Sequence, residues 1–125
     1  MPIVKEPKRI TRYRGDTTPL NRTVKVIATG AVQSLAGVTE IALTVRETTE
    51  DTTIMLDRRY TDGEITITSE SGGTFQVTWN LDTMEALTPN ERGYEYDIEI
   101  TFADGVETVE RGKFIVRADV TRPSA

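Results

Sequence analysis

The side chains able to do chemistry are few, and their spacing limits what they can do. Carboxylates come first. Glu50 and Asp51 are adjacent, Asp62 and Glu64 flank Gly63, and Glu95, Asp97 and Glu99 alternate. A converging carboxylate pair can serve as acid and base, and a carboxylate cluster can hold Ca²⁺. Calcium loops need oxygen ligands at fixed offsets, and the sequence has no Asp-x-Asp-x-Asp spacing. Along a strand, alternate residues share one face about 7 Å apart. Glu95, Asp97 and Glu99 therefore read as a solvated stripe, suited to an interface rather than to a catalytic dyad. Ser71-Gly72-Gly73-Thr74 lies between two predicted strands and precedes no helix, so it is a turn and not a phosphate loop.

Two absences remove whole chemistries. The 125 residues include no His and no Cys. That excludes a Ser-His-Asp triad, a Cys nucleophile, a Cys/His zinc site, His-ligated haem, an iron–sulfur cluster and any disulfide. The expectation is a protein that is not an enzyme, with no catalytic, cofactor-binding or metal-binding residues. No run of 18 apolar residues occurs, so no membrane partner is expected. Residues 1–7 have no apolar stretch of the kind that makes a secretory signal.

Charge points to partners. The net charge is −5. Residues 1–25 carry seven bases against two acids, and residues 26–125 carry eight against 18. Between Thr78 and Glu110 stand nine acids and one base, Arg92. A basic arm on an acidic body can dock on an acidic surface, another copy included. The candidate partner-binding residues are Lys5, Lys8, Arg9, Arg12, Tyr13 and Arg14. Nucleic acid is not an expected partner: the pI near 4.8 has the wrong sign, and no RNA-binding signature occurs. Arg14-Gly15-Asp16 matches an integrin tripeptide and Asn21-Arg22-Thr23 a glycosylation acceptor, both too short to decide a function. Of the aromatics, only Tyr13 and Tyr60 are expected to be free for sugar contact.

The elements that must position these residues are strands. Threonine supplies 21 of the 125 residues, and β-branched side chains fit a pleated surface. Period-two alternation recurs over residues 23–28, 38–47, 64–69, 74–81, 94–102 and 106–116, with weaker strands at 9–14 and 53–58. Asp104-Gly105 is the strongest hairpin signal. Apolar parity changes between Val109 and Phe114, which predicts a one-residue bulge near Gly112. Residues 82–87 are expected to make one helical turn capped by Asp82. Seven to eight short strands predict an all-β, immunoglobulin-like antiparallel sandwich, with a small barrel as the alternative. Leu87, Gly93 and Tyr94 are placed like a tyrosine corner. The expected organisation is an extended basic arm at 1–7, the sandwich at 8–118 and an exposed tail at 119–125. The expected core is Leu43, Val45, Phe75, Val77, Trp79, Tyr96, Ile98, Ile100, Phe102, Phe114 and Val116.

Several segments, taken in order, resemble a known family. They are Ile10-Thr11-Arg12-Tyr13-Arg14-Gly15-Asp16-Thr17, then Ala36-Gly37-Val38 and Leu43-Thr44-Val45-Arg46. Gly93-Tyr94-Glu95-Tyr96-Asp97-Ile98, Gly112-Lys113-Phe114 and Val120-Thr121-Arg122 complete the series. Together they resemble small tailed-phage virion proteins related to the N-terminal domain of baseplate upper proteins. The resemblance implies an immunoglobulin-like sandwich with a structural role in the virion, in the tail or baseplate, the neck, or as a capsid decoration. It implies other virion proteins as partners, copies of the chain among them, in a symmetric homo-oligomer. Baseplate upper proteins continue into helical or fibre-like regions, whereas this sequence stops at Ala125, so a stand-alone module is expected. A host-surface glycan-binding or adhesion module is the alternative.

Overall fold

Among the described residues, alternating β-branched and aromatic side chains produce eight strands: β1 (Pro7–Tyr13), β2 (Leu20–Thr23), β3 (Glu40–Arg46), β4 (Ile54–Arg59), β5 (Ile65–Ser69), β6 (Thr74–Val77), β7 (Asn90–Phe102) and β8 (Gly105–Arg117). The structure is a computed structural model that describes residues 7–13, 17–26, 28–47, 54–80, 84 and 89–117; for 7, 8 and 90–92 it describes the backbone alone. The strands form a five-stranded sheet, β1-β8-β7-β3-β4, and a three-stranded sheet, β2-β6-β5. Every pairing is antiparallel except that of β1 with β8. In immunoglobulin terms β2, β6 and β5 are strands B, E and D, and β8, β7 and β3 are G, F and C. β4 extends the five-stranded sheet as a variable-type C′ strand does. The chain is an immunoglobulin-like β-sandwich.

The core lies between the sheets. Ile41, Leu43, Val45, Ile98, Ile100 and Phe114 from the large sheet face Ile65, Phe75 and Val77 from the small one. Trp79 and Tyr96 both pack on Phe114, at ring-centroid distances of 6.0 and 6.3 Å in tilted and edge-to-face geometry. Such pairs avoid face-on repulsion between ring quadrupoles. Ten of the eleven expected core residues are buried; Phe102 is only partly so. It ends β7 beside the two-residue Ala103-Asp104 turn, where the 13-residue hairpin strands outrun the short strands opposite. Ile10, Val24, Leu35, Leu56 and Met84 join the core without having been expected there, and Tyr94, at a core-parity position, is buried as expected.

Two local expectations change: the strand expected over 23–28 is instead β2 at Leu20–Thr23, and the β8 bulge moves. The bulge on β8 falls at Val109, where Ile98 pairs with Glu110 and Glu99 with Thr108, three residues before Gly112. Val109 and Glu110 are consequently both buried. The Met84 N–H donates to the Asn80 carbonyl at 3.0 Å, a bond of helical span. Asp82 with the predicted cap, and the Leu87 part of the predicted tyrosine corner, lie outside the described residues, as do 1–6 and 118–125; Gly93 and Tyr94 are described and buried.

Candidate interaction surfaces

The basic candidates divide by strand parity. β1 runs parallel to β8 at the edge of the large sheet, so odd and even residues take opposite faces. Arg9 and Tyr13 face outward and are exposed, Tyr13 by 51%. Arg12 does not join them. It is 7% exposed, its guanidinium lies 5.2 Å from the Trp79 ring centroid, and its Nη1 donates to the Thr18 carbonyl at 2.6 Å. A cation held over an indole face and bonded to backbone belongs to the packing of the sandwich, not to an outer docking set. Lys5 and Arg14 lie outside the described residues, and of Lys8 only the backbone pairing with Gly112 is described. The register adds cations from β8 to this set. Arg9 is opposite Lys113, Pro7 opposite Arg111 and Tyr13 opposite Arg117, all three exposed residues on the neighbouring strand.

The outer face of the large sheet is ordered by charge. Glu95, Asp97 and Glu99 form one column on β7, as the alternation predicts, next to Lys113 and Arg111 on β8. Lys113 pairs with Glu95. On the other side, β3 places Arg46, Thr44 and Ala42 beside the same three carboxylates. Thr44 and Ala42 are short, and neighbouring long side chains bury them although they face outward. They lie in a shallow concavity of about 270 Å³, walled by Arg46, Arg59, Asp97 and Glu99 and edged by exposed Ile54 and Val106. Arg46 Nε, in the wall of this concavity, and Asp57 Oδ1 on β4 are buried and have no hydrogen-bond partner among the described residues. Burial pushes the Asp97 carboxyl up, the Glu99 charge adds to this, and Arg46 opposes it. Among the described residues, three of the four exposed large apolar side chains, Tyr13, Ile54 and Val106, belong to this face. Tyr60 does not share it as a free ring; it is half-buried against the core.

A second cluster arises from the Val109 bulge. Glu110 is turned inward to 6% exposure and joins the two sheets. Its Oε1 accepts from Arg22 Nε of β2 at 2.7 Å, and its Oε2 accepts a short bond from the Tyr96 hydroxyl, 2.5 Å. Burial pushes the Tyr96 phenol well above the usual tyrosine range, and the Glu110 bond and charge push it further. Burial alone would lower Arg22; the hydrogen bond and charge of Glu110 outweigh it and raise the guanidinium. In the sequence Arg22 belongs to a glycosylation tripeptide and Glu110 to an acidic stretch. No local pattern signals that they meet, 88 residues apart.

Glu110 has both oxygens engaged by the protein, and the β7 carboxylates stand in a row on an open sheet. Among the described residues no group of three or more Asp or Glu side chains could hold a metal ion. No helix long and apolar enough to cross a membrane occurs among the described residues.

No protein-family model matches the chain, and no curated protein matches it. Among solved structures it is similar to murine CRIg at 16% identity, over 93% of this chain and 96% of that one, with a TM-score of 0.38. The fold assignment rests on strand order and register, not on that likeness.

Proposed function

We propose that this chain is a non-enzymatic structural module of a tailed-phage virion, joining virion proteins through its basic N-terminal residues and the outer face of its large sheet. One observation carries the docking part: cations at the β1–β8 edge stand beside a carboxylate column on β7, with exposed Tyr13, Ile54 and Val106 around them. Polar rims around apolar contact points are common at protein interfaces. A face that carries both signs in separate columns is complementary to a two-fold related copy of itself. The virion context comes from the sequence resemblance.

The test uses Lys5, Lys8, Arg9 and Arg14, all changed to Glu, with Arg12 left in place. Light scattering at low and high salt reads the assembly state, and a tagged copy reads incorporation into particles. The expected result is a salt-sensitive oligomer in the wild type and loss of incorporation in the variant. Normal incorporation of the folded variant overturns the proposal. A glycan-binding module is the second reading; Tyr13 is exposed, but half-buried Tyr60 leaves it without the expected companion.

A further inference from the structure

A pocket of about 380 Å³ opens between the two sheets on the side where β2 approaches β8. Its lining is divided by chemistry. Val24, Phe75 and Val109 are buried and apolar, while Arg22, Lys25 and Glu110 supply charge. A size in the low hundreds of Å³ and a mixed lining are the usual features of a small-ligand site.

The charges do not cancel there. Glu110 is already engaged at both oxygens, by Arg22 and by Tyr96, so it is poorly placed to accept from an incoming ligand. Arg22 has given Nε to Glu110 and one Nη1 hydrogen to the Asn21 carbonyl. A guanidinium carries five N–H donors in a fixed fork, so donors remain for a second acceptor. Lys25 is exposed. Two cations against one neutralised carboxylate leave the pocket one positive charge in excess. The Arg22–Glu110 bond also fixes the guanidinium before any ligand arrives, which reduces the ordering cost of binding.

We propose that this pocket binds a carboxylate carried next to an apolar side chain: the carboxylate meets Arg22 and Lys25, and the side chain enters between Val24, Phe75 and Val109. A free amphiphilic acid and the C-terminus of a peptide ending in a large apolar residue share that chemistry. The site does not depend on the virion reading and does not overlap the outer face.

The experiment is a titration followed by amide NMR. The probes are N-acetyl-phenylalanine, its neutral amide, and Gly-Gly-Phe with a free and with an amidated C-terminus. Saturable shifts are expected at Val24, Lys25 and Val109, with each amide at least ten-fold weaker than its acid. Gly-Gly-Phe binding tighter than the acetylated amino acid identifies a peptide C-terminus as the ligand; equal or weaker binding identifies a free acid. Lys25→Gln is expected to weaken both acids about five-fold without altering the fold, because Lys25 is exposed. Lys113→Gln, on the opposite face of the sheet, changes nothing. Equal affinity for acid and amide, shifts centred outside the pocket, or no saturable shift up to the solubility limit overturns the proposal.

Discussion

Replacing Glu110 by Leu tests whether the inter-sheet network holds the sandwich closed. The substitution keeps the volume and removes both acceptors. The Tyr96 hydroxyl then has no carboxylate to donate to, and a lost charge-assisted bond inside a protein costs about 1.5–3 kcal/mol. Arg22 also loses its partner, but its side chain is 27% exposed, so water recovers part of the loss and about 1 kcal/mol is appropriate. The sum is about 3 kcal/mol. Unfolding entropy of about 2.1 cal/mol/K per residue over 125 residues gives about 0.26 kcal/mol/K, hence a fall in Tm of roughly 11 °C. The assay is thermal unfolding followed by Trp79 fluorescence and circular dichroism, checked by urea titration. Removing the whole network, with Arg22→Leu, Glu110→Leu and Tyr96→Phe together, is expected to restore stability to within about 1 kcal/mol of wild type. Apolar replacement of an entire buried ion pair is frequently neutral, whereas breaking it on one side is not. A fall below about 4 °C in the single variant, or a triple variant no more stable than the single, refutes this account.

Four other outcomes follow from the geometry. Tyr96, with its phenol raised, stays protonated where an unfolded tyrosine ionises, at about pH 10. Stability therefore declines as pH rises above about 10, and its tyrosinate absorbance should appear only together with unfolding. Asp97 is raised by burial and Glu99, so its charged form is disfavoured in the fold at neutral pH. Asp97→Asn is expected to stabilise at pH 7 by less than about 1 kcal/mol, with the gain vanishing below about pH 3.9, where both states are protonated; urea titrations at the two pH values measure it. Gly73 has φ +67°, and a Cβ there would lie 2.4 Å from the Gln33 carbonyl oxygen and 2.7 Å from Val32 Cγ1. Gly73→Ala must therefore displace backbone and should cost about 3 kcal/mol or more by chemical denaturation. Arg12→Ala loses the contact over Trp79 and the bond to Thr18, about 2–4 kcal/mol together, while Arg9→Ala stays within about 0.5 kcal/mol, as a pair of melting curves will show.

Through local alternation the sequence by itself determined most of the strands, although β2 lies at Leu20–Thr23 and not over 23–28. Period-two alternation at Ile41, Leu43 and Val45 and again from Tyr94 to Ile100 states which residues are strand and which face is wet, because a pleated backbone leaves no other arrangement. It also determined the absence of His and Cys chemistry and placed the β7 carboxylates on one outer face. It could not decide between sandwich and barrel, since each satisfies the same alternation; the order β1-β8-β7-β3-β4 over β2-β6-β5 depends on pairings between residues far apart in the chain. Arg12 and Arg9 look alike as basic residues, yet the parallel pairing of β1 on β8 turns one onto Trp79 and the other to solvent. Glu110 belongs to an acidic stretch until a single extra residue at Val109 reverses the strand's parity and carries it to Arg22 and Tyr96. Local periodicity is written in neighbouring residues, where sterics act directly. Register, bulges and inter-sheet contacts are settled by which distant surfaces can pack together, and only the tertiary structure holds that information.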